Sequence, residues 1–169
     1  MTTISMYQAA VPTFVRALNS LADVLEKAEA HAAAKKIEPK AFLDSRLYPD
    51  MFPLVKQVQI ASDSAKGGVA RLAQQPPPSF EDNEASFAEL VQRCRKTVAY
   101  LQTIKPEQMD GGEDRTVTWK TRSAEKSMQG LPYLLHHVIP NVYFHVTTAY
   151  AILRHNGVEV GKQDFLGRS

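Results

Sequence analysis

Apolar residues recur along this chain in alternating steps of four and three, the spacing that lines one face of an α-helix. Tyr7, Val11, Phe14, Leu18, Leu21, Leu25 and Ala28 form the first such stripe. Ser5 is placed to cap that helix, Pro12 predicts a bend or a displaced start, and Lys35-Lys36 suit a C-terminus. Met51, Val55, Val58, Ser62, Ala65, Val69 and Leu72 form the second stripe, on a helix expected to begin near Pro53 with Asp50 as cap. Ser62 and Ala65 would admit a close neighbour. Gly67-Gly68 weaken a long helix, so they predict close packing or a kink.

After the stiff connection Gln74-Gln75-Pro76-Pro77-Pro78, a third helix is predicted from about Asp82, with Phe87, Val91, Cys94, Val98 and Leu101 on its face. Residues 105–128 break the rhythm. Thr116-Val117-Thr118-Trp119 alternates as a strand does, which predicts a small β-hairpin over one end, with Ser127 capping the next helix. The fourth stripe is Leu131, Leu135, Val138, Val142, His145, Ala149 and Ile152, stopped by Asn156-Gly157. The tail is expected to fold back through Phe165 and Leu166. Four such helices bury their apolar faces by packing together, so the expected fold is an all-α four-helix bundle, with residues 1–169 as one domain.

Composition narrows the function classes. With 20 basic and 18 acidic residues, net +2, the chain offers no electrostatic reason to bind nucleic acid or an anionic membrane. The single cysteine, Cys94, allows no internal disulfide and fits a reducing compartment, so a cytoplasmic location is expected. The first six residues lack the pattern of a secretory signal, and no apolar run nears the roughly 20 residues that span a bilayer. Phosphate-binding glycine loops, serine-hydrolase elbows and His-Glu-x-x-His zinc motifs are missing from the sequence.

His145 is the foremost candidate for chemistry. It occupies a seam position that calls for an apolar side chain, and a buried imidazole needs a partner, a ligand or a role. Asn141 lies one turn earlier on the same face, and His137 one turn before that. His137 and His145 are eight residues, or about 12 Å, apart along the axis, too far to share a metal. Pro140 could open space beside them. Gln59 and Asp63 flank the second helix's seam and could face the fourth. Cys94 reads as a packing residue, and Trp119, Tyr143 and Tyr150 as core or pocket lining.

The segments His137–His145 and Ala151–Gly157 resemble the last long helix of the DinB/YfiT-like superfamily. Met6–Ala9, Pro49–Leu54, Gln57–Ala61 and Tyr143–Tyr150 are similar to recurrent segments of an uncharacterised bacterial branch of it, known only as a domain of unknown function. The resemblance covers essentially the whole chain. It implies a four-helix bundle, often a homodimer. Metal-binding members use three histidines, one on the second helix and two spaced by four on the last, and some are thiol-dependent transferases or isomerases. His145 matches the later histidine of the last helix and Asn141 falls on the earlier one. Gln59, with Gln57 as second choice, occupies the place on the second helix. Amides are weak ligands for zinc or nickel. The resemblance therefore implies a degenerate metal site, lined by Gln59, Asn141 and His145, in a module that binds a small polar molecule or serves structure and dimerisation. The alternative is a metal-dependent enzyme in which His145 is a ligand, supplemented by Asn141, Gln59 or Asp63.

Overall fold

A computed structural model describes residues 3–121 and 123–167. Helix α1 (Met6–Lys35) opens with a capping box: Gln8 donates its backbone N–H to Ser5 Oγ, and its side chain accepts from the Ser5 N–H. It closes at Lys36, which takes the left-handed conformation (φ 55°). Pro12 lies inside the helix without ending it. A short α2 (Pro39–Leu43) leads to a loop and then to α3 (Leu54–Leu72), whose N-cap is Pro53. Asp50 and Met51 remain in the loop, so neither belongs to the helix that the spacing suggested.

Helix α4 (Phe87–Leu101) starts five residues later than Asp82, because Ser86 accepts from the Glu89 N–H and residues 76–86 cross the bundle as an irregular strap. A one-turn α5 (Pro106–Met109) precedes strands β1 (Thr116–Lys120) and β2 (Glu125–Gln129), an antiparallel hairpin pairing Thr116 with Gln129 and Trp119 with Lys126. Val117 and Trp119 point into the core while their neighbours face solvent. Ser127 lies in β2 and caps nothing.

The last long helix is built differently from its sequence rhythm. A turn α6 (Gly130–Tyr133) runs into a π-turn at Leu134–Val138 and then α7 (Ile139–His155). The N–H of Ile139 bonds to the carbonyl of Leu134, five residues back. Pro140 follows at once; it offers no N–H to the preceding turn and its ring crowds that turn's carbonyl, which favours the wider winding. The wide turn holds one extra residue. Leu134 and Gly130 therefore take the buried places that the four-three rhythm gives to Leu135 and Leu131, which are 42% and 38% exposed. Beyond the π-turn the rhythm holds: Val138, Val142, His145, Ala149 and Ile152 are buried.

Helices α1, α3, α4 and α7 form the bundle, with α1 packed mainly on α4 and α3 on α7. Ser62 and Thr97 exchange a buried hydroxyl hydrogen bond of 2.7 Å between α3 and α4. Gly68 explains itself: a Cβ there would stand 2.3 Å from Val138 Cγ1, so its bare backbone lets α3 approach the π-turn. Helix α8 (Lys162–Leu166) turns the tail back onto α1, where Phe165 meets Tyr150 edge-on at 5.8 Å and the Leu166 carbonyl accepts from Arg16 Nε. The outermost parts of the tail and of the N-terminus, residues 168–169 and 1–2, lie outside the described residues. No helix among the described residues is long and apolar enough to cross a membrane.

Candidate functional site

Three polar residues of α3, Gln57, Ser64 and Arg71, are spaced by seven and so stack along one face of the helix. That face meets α7 and the π-turn. At the near end Gln57 Oε1 lies 2.7 Å from His145 Nδ1. The Gln57 amide is oriented by its other arm, since Nε2 donates to the Phe52 carbonyl at 3.0 Å. Oε1 must therefore accept, which puts the imidazole proton on Nδ1 and leaves the lone pair on Nε2. His145 is 8% exposed, and burial pushes its pKa below the ordinary 6.5, so the ring is neutral near pH 7. Phe144 meets the imidazole edge-on at 5.1 Å.

Gln59 does not join this pair. Two residues along a helix are about 200° apart, so Gln57 and Gln59 flank Val58 on opposite sides. Gln59 Nε2 donates to Glu84 Oε2 on the strap at 2.8 Å, away from His145. Asp63 goes the same way, with Oδ1 2.8 Å from Arg93 Nη2 and 2.9 Å from Lys66 Nζ. Asn141 does lie beside the seam on α7, but its Nδ2 is turned back to the His137 carbonyl, 2.6 Å away. The second choice on the second helix thus becomes the partner of His145, and the first choice belongs to another cluster.

One turn further along the α3–α7 interface is a cavity of about 180 Å³, lined by Asp63, Ser64, Arg71, Tyr133, His137, Val138 and Asn141. Its aromatic wall is a stack: His137 lies 5.3 Å from Tyr133 and 4.6 Å from Trp119, which is itself 4.8 Å from Tyr133. The Tyr133 hydroxyl accepts from Arg71 Nη1 at 3.4 Å. Burial raises the Tyr133 pKa against the pull of Arg71, so the phenol stays protonated. Burial, aided by the charges of Lys126 and Arg71, lowers the His137 pKa. Ser64, Arg71 and Tyr133 escaped the sequence reading because each resembles an ordinary helix residue. The seven-residue ladder from Gln57 to Arg71, with Gly67 one turn before Arg71, was the available signal.

Cys94 is wholly buried, and desolvation pushes its thiol up to about 12, which makes it a packing residue. Tyr150 packs on Phe165 and Tyr143 is partly exposed; neither lines this cavity.

The chain is a bundle of four helices with a small hairpin before its last long helix, and a solved structure shares this fold. A crystal structure at 1.83 Å of a DinB family member from Shewanella denitrificans superposes with a TM-score of 0.87 at 42% identity, covering 96% of this chain and 92% of that one. The chain belongs to the DUF1993 family, a domain of unknown function, whose model matches residues 6–166. No curated protein matches the chain.

The metal chemistry of the wider superfamily does not fit these residues. Two ligands of one ion converge on a shared point, whereas here the residue on α3 hydrogen-bonds directly to the imidazole. Asn141 pairs its Nδ2 with its own helix and keeps only an amide oxygen to offer, a weak ligand for zinc or nickel. Among the described residues, no three His, Cys, Asp or Glu side chains are placed to hold a metal.

Proposed function

We propose that this protein is a small-molecule-binding DinB-type bundle, whose site lies in the α3–α7 cleft and works without a bound metal. The observation that carries this reading is that the Gln57 amide is committed at both ends, to the Phe52 carbonyl and to His145 Nδ1, which takes the α3 residue out of any ligand set and leaves His145 without co-ligands among the described residues. The cavity lined by Asn141 supplies the binding space, with the charged groups of Arg71 and Asp63, the hydroxyls of Ser64 and Tyr133 and the Asn141 amide set beside the His137 ring. A metal-dependent thiol transferase or isomerase has one observation in its favour, the lone pair that the Gln57 clamp leaves on His145 Nε2.

Elemental analysis of protein purified without chelators, after incubation with zinc or nickel, separates the two. The expected result is metal well below one per chain, unchanged by His145→Ala. One metal per chain, lost on His145→Ala, overturns the reading in favour of the metal-dependent enzyme.

A further inference from the structure

Building on the reading that the α3–α7 cleft holds a small molecule, we propose that its ligand is a carboxylate seated on the guanidinium of Arg71, with a small flat body against the ring of His137.

Arg71 is half-buried, yet among the described residues no carboxylate lies within ion-pair distance of it. Its one side-chain partner is the neutral Tyr133 hydroxyl, at a long 3.4 Å. A guanidinium carries five donors, so most of its capacity has no partner among the described residues. Gly67, one turn earlier, shapes its position: a Cβ there would meet Arg71 Nη1 at 2.9 Å, so the missing side chain lets the guanidinium lie back along α3 into the cavity.

Two cations stand at this end of the cavity: Lys126 from β2 and Arg71 from α3 both act on His137. Among the described residues, the carboxylate in the lining is that of Asp63. It is held by Arg93 and Lys66 at 2.8 and 2.9 Å, which offset its charge, so it opposes an anion at Arg71 weakly.

Shape selects within the anions. A guanidinium fork matches a planar carboxylate through two parallel hydrogen bonds. A phosphate carries more charge and more acceptors than one arginine satisfies. The volume of about 180 Å³ is close to that of an engineered core cavity of about 150 Å³ that takes up benzene. The half-buried His137 ring, backed by the buried Tyr133, offers that body a flat surface. Ser64 Oγ and Asn141 Oδ1, neither hydrogen-bonded among the described residues, are left for polar substituents.

Trp119 is the chain's only tryptophan, and it stacks on His137, so its fluorescence reports on the cavity directly. The experiment titrates benzoate, benzamide, benzylamine and inorganic phosphate separately into the full chain at about pH 8 and constant ionic strength. Benzoate should give a saturable change at least tenfold tighter than benzamide, benzylamine or phosphate, and Arg71→Gln should weaken benzoate at least tenfold. Should that variant fail to fold, as judged by circular dichroism, the benzoate-to-benzamide ratio of the unmodified chain carries the test. Benzamide or benzylamine matching benzoate, or benzoate unaffected in a folded Arg71→Gln, overturns the carboxylate assignment while leaving a small-molecule cleft. Phosphate binding alone also overturns it. No saturable response to any of the four removes both the carboxylate and the cleft reading.

Discussion

Two arginines show how differently the same group is used in this molecule. Arg93 on α4 is 3% exposed, and both of its terminal nitrogens are held by acceptors, with only Nε left without a partner among the described residues. Its Nη2 reaches Asp63 at 2.8 Å and Asp82 at 3.0 Å, and its Nη1 reaches Glu84 at 2.8 Å and the Glu81 carbonyl at 3.0 Å. Lys66 and Lys56 complete the set by holding the Pro78 carbonyl and Asp82. Phe80 rests against Lys66 and Lys96, 4.8 and 4.2 Å from the ring centre. This cluster straps residues 78–84 to the bundle. Arg71 on α3 is half-buried and has no carboxylate partner among the described residues. A buried charge that closes its own circuit holds a fold together. One that leaves donors over, beside a cavity, is set up to receive something else.

The largest test of that contrast is thermodynamic. Arg93→Met leaves the largely buried Glu84 without its cation and the part-exposed Asp63 and Asp82 with only Lys66 and Lys56, and should cost about 3 kcal/mol of unfolding free energy. Arg71→Gln removes a lone cation and should stay within about 1 kcal/mol of the original chain. Urea denaturation of both variants decides it; equal losses would erase the distinction.

The adjacent glycines sharpen the same contrast. Gly68→Ala drives a methyl into Val138, where the π-turn cannot yield, and should destabilise by about 1–3 kcal/mol. Gly67→Ala meets only the flexible end of Arg71, and the gain in helix propensity of about 0.8–1 kcal/mol offsets the displacement. Near-equal melting temperatures for the two variants would show that Arg71 is held more firmly than its single hydrogen bond implies.

The smallest effect separates the regions by pH. Burial lowers the pKa of His145, and burial with Lys126 and Arg71 lowers that of His137. The unfolded chain takes up these protons from about pH 6.5 downward, the folded chain only at lower pH. Stability should therefore fall as pH drops below 6.5, and level off beneath the folded values. On the other side of α3, burial raises the Asp82 pKa, but the hydrogen bond and charge of Lys56 and the charge of Arg93 outweigh it and hold it below 3.8. That contribution persists above 3.8 and is lost only as pH falls through the folded value. Acid should thus loosen the α3–α7 side first. Denaturation midpoints between about pH 7.5 and 5.5 measure the slope, and His145→Gln should flatten it; an unchanged slope would locate the titration elsewhere.

Much of the bundle was legible because amphipathic spacing is a local code. Val11, Phe14, Leu18, Leu21 and Leu25 fall on the α1 core face as their rhythm requires, and the same holds from Val138 to Ile152 on α7. The misplacements are instructive. Leu131 and Leu135 keep a perfect rhythm in the sequence, yet the π-turn ahead of Pro140 slips them one residue out of the core. Asp82 and Glu84 look like the start of a helix but serve as acceptors for Arg93, so α4 waits for Ser86. The hairpin was visible from alternation at Thr116–Trp119, whereas its consequence, a tryptophan laid on His137, was not.

From sequence alone came the helices, the inward aim of His145 and the buried inert role of Cys94. These follow from side-chain period and residue chemistry, which each segment carries within itself. Tertiary structure decided which flank of α3 faces which neighbour, sending Gln57 to His145 and Gln59 to Glu84. It also brought Arg71, Tyr133, His137 and Asn141 around one cavity. The physical reason is that a helix fixes the angle between its own residues but not its rotation against another helix. That rotation is set by packing, here by the bare backbone of Gly68 against Val138 and by one extra residue in a widened turn.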